Sequence, residues 1–72
     1  MRNRIRELRE DLDMNQTEMA KLLDMSQTGY SKYETGENDI PTAILIKLSK
    51  IHDTSIDYLL GLTKERRPYP RG

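Results

Sequence analysis

Cysteine is absent from this chain of 72 residues. Neither a disulfide framework nor a thiolate metal site is open to it, and a reducing cytoplasm is the expected compartment. His52 is the one histidine, and no serine nucleophile stands at a recognisable spacing from a base. Catalysis therefore has no constellation to work with, and neither an enzyme, a metal nor a cofactor is expected. Long apolar runs are also missing. The longest, Ala43 to Ile46, falls far short of the roughly 20 residues that span a bilayer. The basic start, MRNRIREL, has no apolar stretch behind it as a secretory signal would, so a soluble chain that makes no membrane contact is expected. Charge of one sign is not in excess, since 12 Lys and Arg balance 12 Asp and Glu. A chain of this length buries only roughly 60% of its unfolded surface, enough for one small core.

What is present centres on Asn15 to Gly36, NQTEMAKLLDMSQTGYSKYETG. Asn15 can accept a hydrogen bond from a first-turn amide, and Glu18 stands where a capping box needs it. Met19, Leu22 and Leu23 form an apolar face behind this cap, and Ala20 allows a close helix crossing. Ser26 can cap a second helix, Gln27 to Glu34, whose large apolar residues are Tyr30 and Tyr33. Its inner face is narrow, so Gln27, Thr28, Gly29, Ser31 and Lys32 point elsewhere with groups able to read a base edge. Two capped helices separated by so short a turn predict a helix-turn-helix.

Around this stretch, Asn3 to Leu12 is expected as a first helix with Ile5, Leu8 and Leu12 on one face. Pro41 suits the first turn of a fourth helix that buries Ile44, Leu45, Leu48 and Ile51. Ser55 can cap a fifth, with Asp57 favourable at its start and Ile56, Leu59 and Leu60 closing the core. Asn15-Gln16-Thr17 matches a glycosylation sequon, but without a secretory signal Asn15 is a helix cap. The Thr35 to Asp39 loop, TGEND, is acidic yet lacks the twelve-residue calcium pattern. Beyond Leu62 the run TKERRPYPRG is basic and has no helical apolar face. Residues 1–62 are thus expected as one domain and 63–72 as a flexible basic tail. The tail can be read as an electrostatic arm, as part of a dimer interface anchored by Tyr69, or as a frayed end.

The residues Gln16, Ala20, Leu23, Ser26, Tyr33, Glu34 and Gly36, with the S-K-Y-E-x-G run, resemble the phage-repressor and Cro family of bacterial regulators, also called the xenobiotic-response-element type. Ile40-Pro41, ILIKLSKI and SIDYLLG resemble its two closing helices, so the likeness covers about residues 2 to 62. It implies an all-α, five-helix, lambda-repressor-like domain that binds double-stranded DNA in the cytoplasm as a homodimer, and a transcriptional regulator, above all a repressor. By the same likeness Gln27, Thr28, Ser31 and Lys32 would read bases in the major groove. Gln16, Ser26, Thr35 and Asn38 would meet the DNA backbone, Gln16 also bracing the first recognition residue. Arg9 and Glu34 would form a structural ion pair. The family usually has glycine where Asp13 and Asp24 end their helices; aspartate tolerates the left-handed conformation better than most residues. The first-turn arginines oppose the helix dipole, which fits either an approaching phosphate or a solvated face. Zero net charge and two added acids also suit a different class, a protein-binding module such as an antitoxin that neutralises a toxin, or an antagonist of another regulator.

Overall fold

The computed structural model describes residues 3–68. Tyr69, read above as a dimer anchor, lies outside the described residues. Five helices follow in order: α1 (Ile5–Asp11), α2 (Gln16–Leu22), α3 (Gln27–Thr35), α4 (Thr42–Ile51) and α5 (Ile56–Leu59), with no strand among the described residues.

Local chemistry explains where the helices start. Asn15 accepts from the Glu18 amide at 2.8 Å, and the Glu18 carboxylate accepts from the Asn15 amide at 3.0 Å, completing the capping box. Ser26 and Ser55 accept from the amides of Gly29 and Tyr58, each at 3.0 Å. Pro41 is one place earlier than expected: it is the N-cap of α4, with φ −60° and ψ 150°, and its carbonyl accepts from Ile44 and Leu45. Helix α1 is shorter than expected because Asn3 stands ahead of it, where its Oδ1 accepts from the Ile5 amide at 3.2 Å.

Where the helices stop is equally uniform. After α1, α2 and α4 the chain turns through Asp13 (φ 56°), Asp24 (φ 56°) and Asp53 (φ 50°), and after α5 through Gly61 (φ 76°). Each left-handed residue donates its amide to the carbonyl three back, and the following residue donates to the carbonyl five back, as Met14 does to Arg9 and Met25 to Ala20. This is the Schellman arrangement, repeated four times to satisfy carbonyls that a helix end leaves open.

The helices enclose Ile5, Leu8, Met19, Ala20, Leu23, Tyr30, Leu48 and Leu59, with Met14, Met25, Tyr33, Ile40, Ile44, Leu45, Ile51 and Tyr58 packed around them. Two expected core residues are outside. Leu22 is 55% exposed and Leu12 46% exposed. At about 100° per residue, the α2 face made by Met19, Ala20 and Leu23 leaves Leu22 well to one side. Leu12 is the C-cap of α1, where the chain has begun to turn away. No helix among the described residues is long and apolar enough to cross a membrane.

Candidate nucleic-acid interface

The α2–turn–α3 unit presents the amino end of α3 outward, because Tyr30 is fully buried and draws the opposite face of that helix inward. Gln27 and Thr28 are exposed in its first turn, with Ser31 and Lys32 half-buried one turn on. Lys32 takes part in no ion pair among the described residues. The Ser26 hydroxyl is engaged in capping α3, although the residue is exposed.

Behind this surface a chain of polar contacts runs inward. The Gln27 amide nitrogen donates to Gln16 Oε1 at 2.5 Å, and Gln16 Nε2 donates to Glu34 Oε1 at 3.0 Å. Glu34 is gripped by Arg9, through Nε to Oε2 at 2.7 Å and Nη2 to Oε1 at 3.1 Å. The third arm of Arg9, Nη1, donates to the Met14 carbonyl at 2.8 Å. Arg9 and Glu34 side chains are 11% and 3% exposed, so the pair is largely desolvated.

Protonation states follow from that enclosure. Burial works to raise the Glu34 carboxyl, but its bonds from Arg9 and Gln16 and the nearby guanidinium charge outweigh it and hold the carboxyl below its ordinary value. Arg9 is held above its ordinary value, chiefly by its hydrogen bond to Glu34. The Tyr30 hydroxyl is pushed up, by burial first and by Glu34 second. It lies within the field of the pair but in no hydrogen-bond geometry with any of the described residues, so Arg9 is the partner that matters.

The direction of the amide chain has a consequence at its outer end. An ionised carboxylate only accepts, so Gln16 must turn its NH₂ to Glu34 and its oxygen to Gln27. Gln27 then gives one N–H to Gln16 and is left with its oxygen and its second N–H. That donor and acceptor, side by side on an exposed amide, match the N7 and N6 edge of adenine.

The loop after α3 is arranged differently. The Thr35 hydroxyl donates to the Lys32 carbonyl at 3.3 Å and accepts from the Glu37 amide at 3.3 Å. The Asn38 amide donates to the Lys32 carbonyl at 3.1 Å, while its side chain is exposed among exposed Glu37 and Asp39. Thr35 and Asn38 thus lie at the carboxyl end of α3, away from Ser26 and Gln27 at its amino end, while the Gln16 amide bridges from Gln27 to Glu34. Asn3 was not singled out from the sequence, yet its Nδ2 donates to the Tyr33 carbonyl at 2.8 Å and ties the start of α1 to the end of α3. An asparagine at the expected start of a helix, a residue type that favours caps, was the available signal.

A family model described as helix-turn-helix matches residues 5–59, more than half of the chain. An uncharacterized HTH-type transcriptional regulator, YobD of Bacillus subtilis (strain 168), is 31% identical over 65 residues, covering 90% of this chain and 58% of that protein. The HTH-type transcriptional regulator ImmR of the same organism is 38% identical over 58 residues, covering 81% of this chain and 46% of that protein. The chain therefore spans about half the length of the curated relatives it matches. No solved structure matches it.

Proposed function

Because the chain belongs to the phage-repressor and Cro type of the helix-turn-helix family, we propose that it is a DNA-binding transcriptional regulator, and specifically a repressor that reads the major groove with α3. The observation that carries this reading is the oriented Gln27 amide, held outward by Gln16, Glu34 and Arg9. Gln27 takes adenine, Lys32 donates to guanine, and Thr28 and Ser31 complete the base-facing set. Gln16, Ser26, Thr35 and Asn38 lie along the backbone, where contacts position the helix without reading sequence.

One helix of 9 residues touches few bases, so specificity calls for a homodimer meeting half-sites roughly 34 Å apart. Leu62, 65% exposed, and the half-buried Tyr58 supply apolar surface for that pairing. Selection of sites from a random duplex library at low salt tests the whole reading, with Gln27→Ala and Lys32→Ala beside the parent chain. A palindromic site whose specificity relaxes at defined positions in the variants is the expected result. A folded protein that enriches nothing would refute it.

A second reading rests on zero net charge and on Leu22, an exposed apolar residue at the end of α2. Here the same scaffold holds a protein partner, a toxin or another regulator. Salt separates the two: phosphate neutralisation makes the logarithm of affinity fall linearly with log salt, whereas an apolar protein contact is nearly indifferent.

A further inference from the structure

After Gly61 the chain turns back along α1. Arg4, at the start of that helix, donates from Nη1 to the Thr63 carbonyl at 2.7 Å, and its guanidinium lies 4.2 Å over the Tyr58 ring. At the other end of α1, Arg66 meets Asp11 at 3.2 Å. From Arg4 to Asp11 a helix rises about 10 Å, and between the two ties the tail bends at Lys64, where the Glu65 amide donates to the Thr63 hydroxyl at 3.2 Å. These two ties fasten residues 63 and 66 to opposite ends of the helix. A third tie reaches into the bundle: the Thr54 hydroxyl donates to the Arg66 carbonyl, and Thr54 is 1% exposed.

His52 lies beside this crossing. It is the C-cap of α4, and its Nε2 is buried without a hydrogen-bond partner among the described residues. The charged groups acting on it from the packed elements are Arg66 of the tail and Asp11 of α1. Its neighbours along the chain, Lys50 and Asp53, are exposed. Burial first, and Arg66 second, hold the imidazole below its ordinary value, against the pull of Asp11. A proton on this ring would create a buried cation beside a guanidinium, with an Nε2–H that meets no acceptor among the described residues.

We propose that residues 63–67 form a proton-sensitive clasp, closed on α1 while His52 is neutral and released when His52 is protonated, which frees Arg66 from Asp11 and Thr54. The linkage has a definite sign. In the open form the imidazole titrates near its ordinary value of about 6.5, and in the closed form lower, so the open form binds the extra proton between the two. Acid therefore favours opening, by at most about 30-fold between about pH 7.5 and about pH 5. Glu65 stays charged across this range, because the Arg67 backbone and side chain hold its carboxyl below the ordinary value.

The test is an NMR titration of the whole chain over that range, following the His52 ring and the amides of residues 63–67, with His52→Gln alongside. The clasp predicts that the tail amides move toward random-coil shifts with the same midpoint as the His52 ring, while the rest of the bundle stays folded, and that His52→Gln abolishes the movement. Tail shifts that ignore the titration, that move equally in His52→Gln, or that change only as the whole bundle unfolds would overturn it. If His52→Gln does not fold, Arg66→Gln changes an exposed residue instead. In that variant the His52 midpoint rises toward its ordinary value, and an unmoved midpoint overturns the clasp.

Discussion

Replacing Arg9 with methionine leaves the Glu34 carboxylate inside the protein with only the Gln16 amide to answer it. Both side chains of the pair are nearly out of solvent, at 11% and 3% exposed, and breaking such a pair from one side costs about 3–5 kcal/mol. The Met14 carbonyl loses its donor from Arg9 in the same substitution. A domain of this size has about 4–11 kcal/mol in total, so Arg9→Met should unfold at far lower urea than the parent when followed by far-UV circular dichroism at neutral pH. Adding Glu34→Gln removes the stranded charge and should restore about 1–3 kcal/mol, a coupling that two independent sites would not show. Acid provides a third arm. In the parent, the Glu34 carboxyl titrates below its ordinary value, so its contribution is complete above that value and is lost as pH falls through the lowered one. In Arg9→Met, burial acts without its main opponent and raises the same carboxyl, so acid relieves the variant. The difference between the two proteins should accordingly shrink as pH falls. An Arg9→Met cost under about 1 kcal/mol, as for an exposed ion pair, would refute the idea that this pair is the rigid base from which Gln16 and Gln27 are oriented.

Other outcomes can be checked with similar means. Asp13→Gly, Asp24→Gly and Asp53→Gly each relieve a left-handed aspartate and should stabilise by about 0.5–1 kcal/mol, read from thermal or urea midpoints. Asn15→Ala and Ser26→Ala each remove a helix cap and should cost about 1 kcal/mol, whereas the exposed Thr17→Ala should stay within about 0.5 kcal/mol of the parent. Gln16→Ala should leave the fold intact while discrimination at the base facing Gln27 drops by about 1–3 kcal/mol, measured by competition between duplexes that differ at that pair. Equal discrimination in parent and variant would show that Gln27 orients itself.

The features legible in the sequence are those whose partners are close along the chain. Asn15 with Glu18, and Ser26 and Ser55 ahead of their helices, announce themselves because a cap and its amide are three residues apart. The Arg9–Glu34 pair joins residues 25 apart and was legible only through resemblance, since no local rule brings them together. Leu12 and Leu22 fall outside the core because apolar spacing identifies a stripe without fixing its edges; the common core of Met19, Ala20, Leu23 and Tyr30 decides which side of α2 faces in. The contacts of Arg66 with Asp11 and Thr54 left no trace in the composition of the tail, whose charge reads as solvated until the chain is seen to fold back. Asp53 repeats the chemistry of Asp13 and Asp24 as a helix stop, although nothing in its sequence neighbourhood marks it.

The polar chain from Gln27 through Gln16 and Glu34 to Arg9 also bears on which part of the molecule can be moved elsewhere. Residues 27–35 form a neat helical segment, and exchanging them between related scaffolds is an obvious way to exchange preferences. Yet the orientation of Gln27 is set by a residue on α2, which is set by a residue at the end of α3, which is held by one on α1. On a scaffold without counterparts of Arg9 and Gln16, a transplanted α3 would arrive with its letters but without the grammar that orders them. The smallest portable unit is a set of four side chains drawn from three helices, and a graft that carries Arg9, Gln16, Gln27 and Glu34 together should keep a preference that the helix alone would lose.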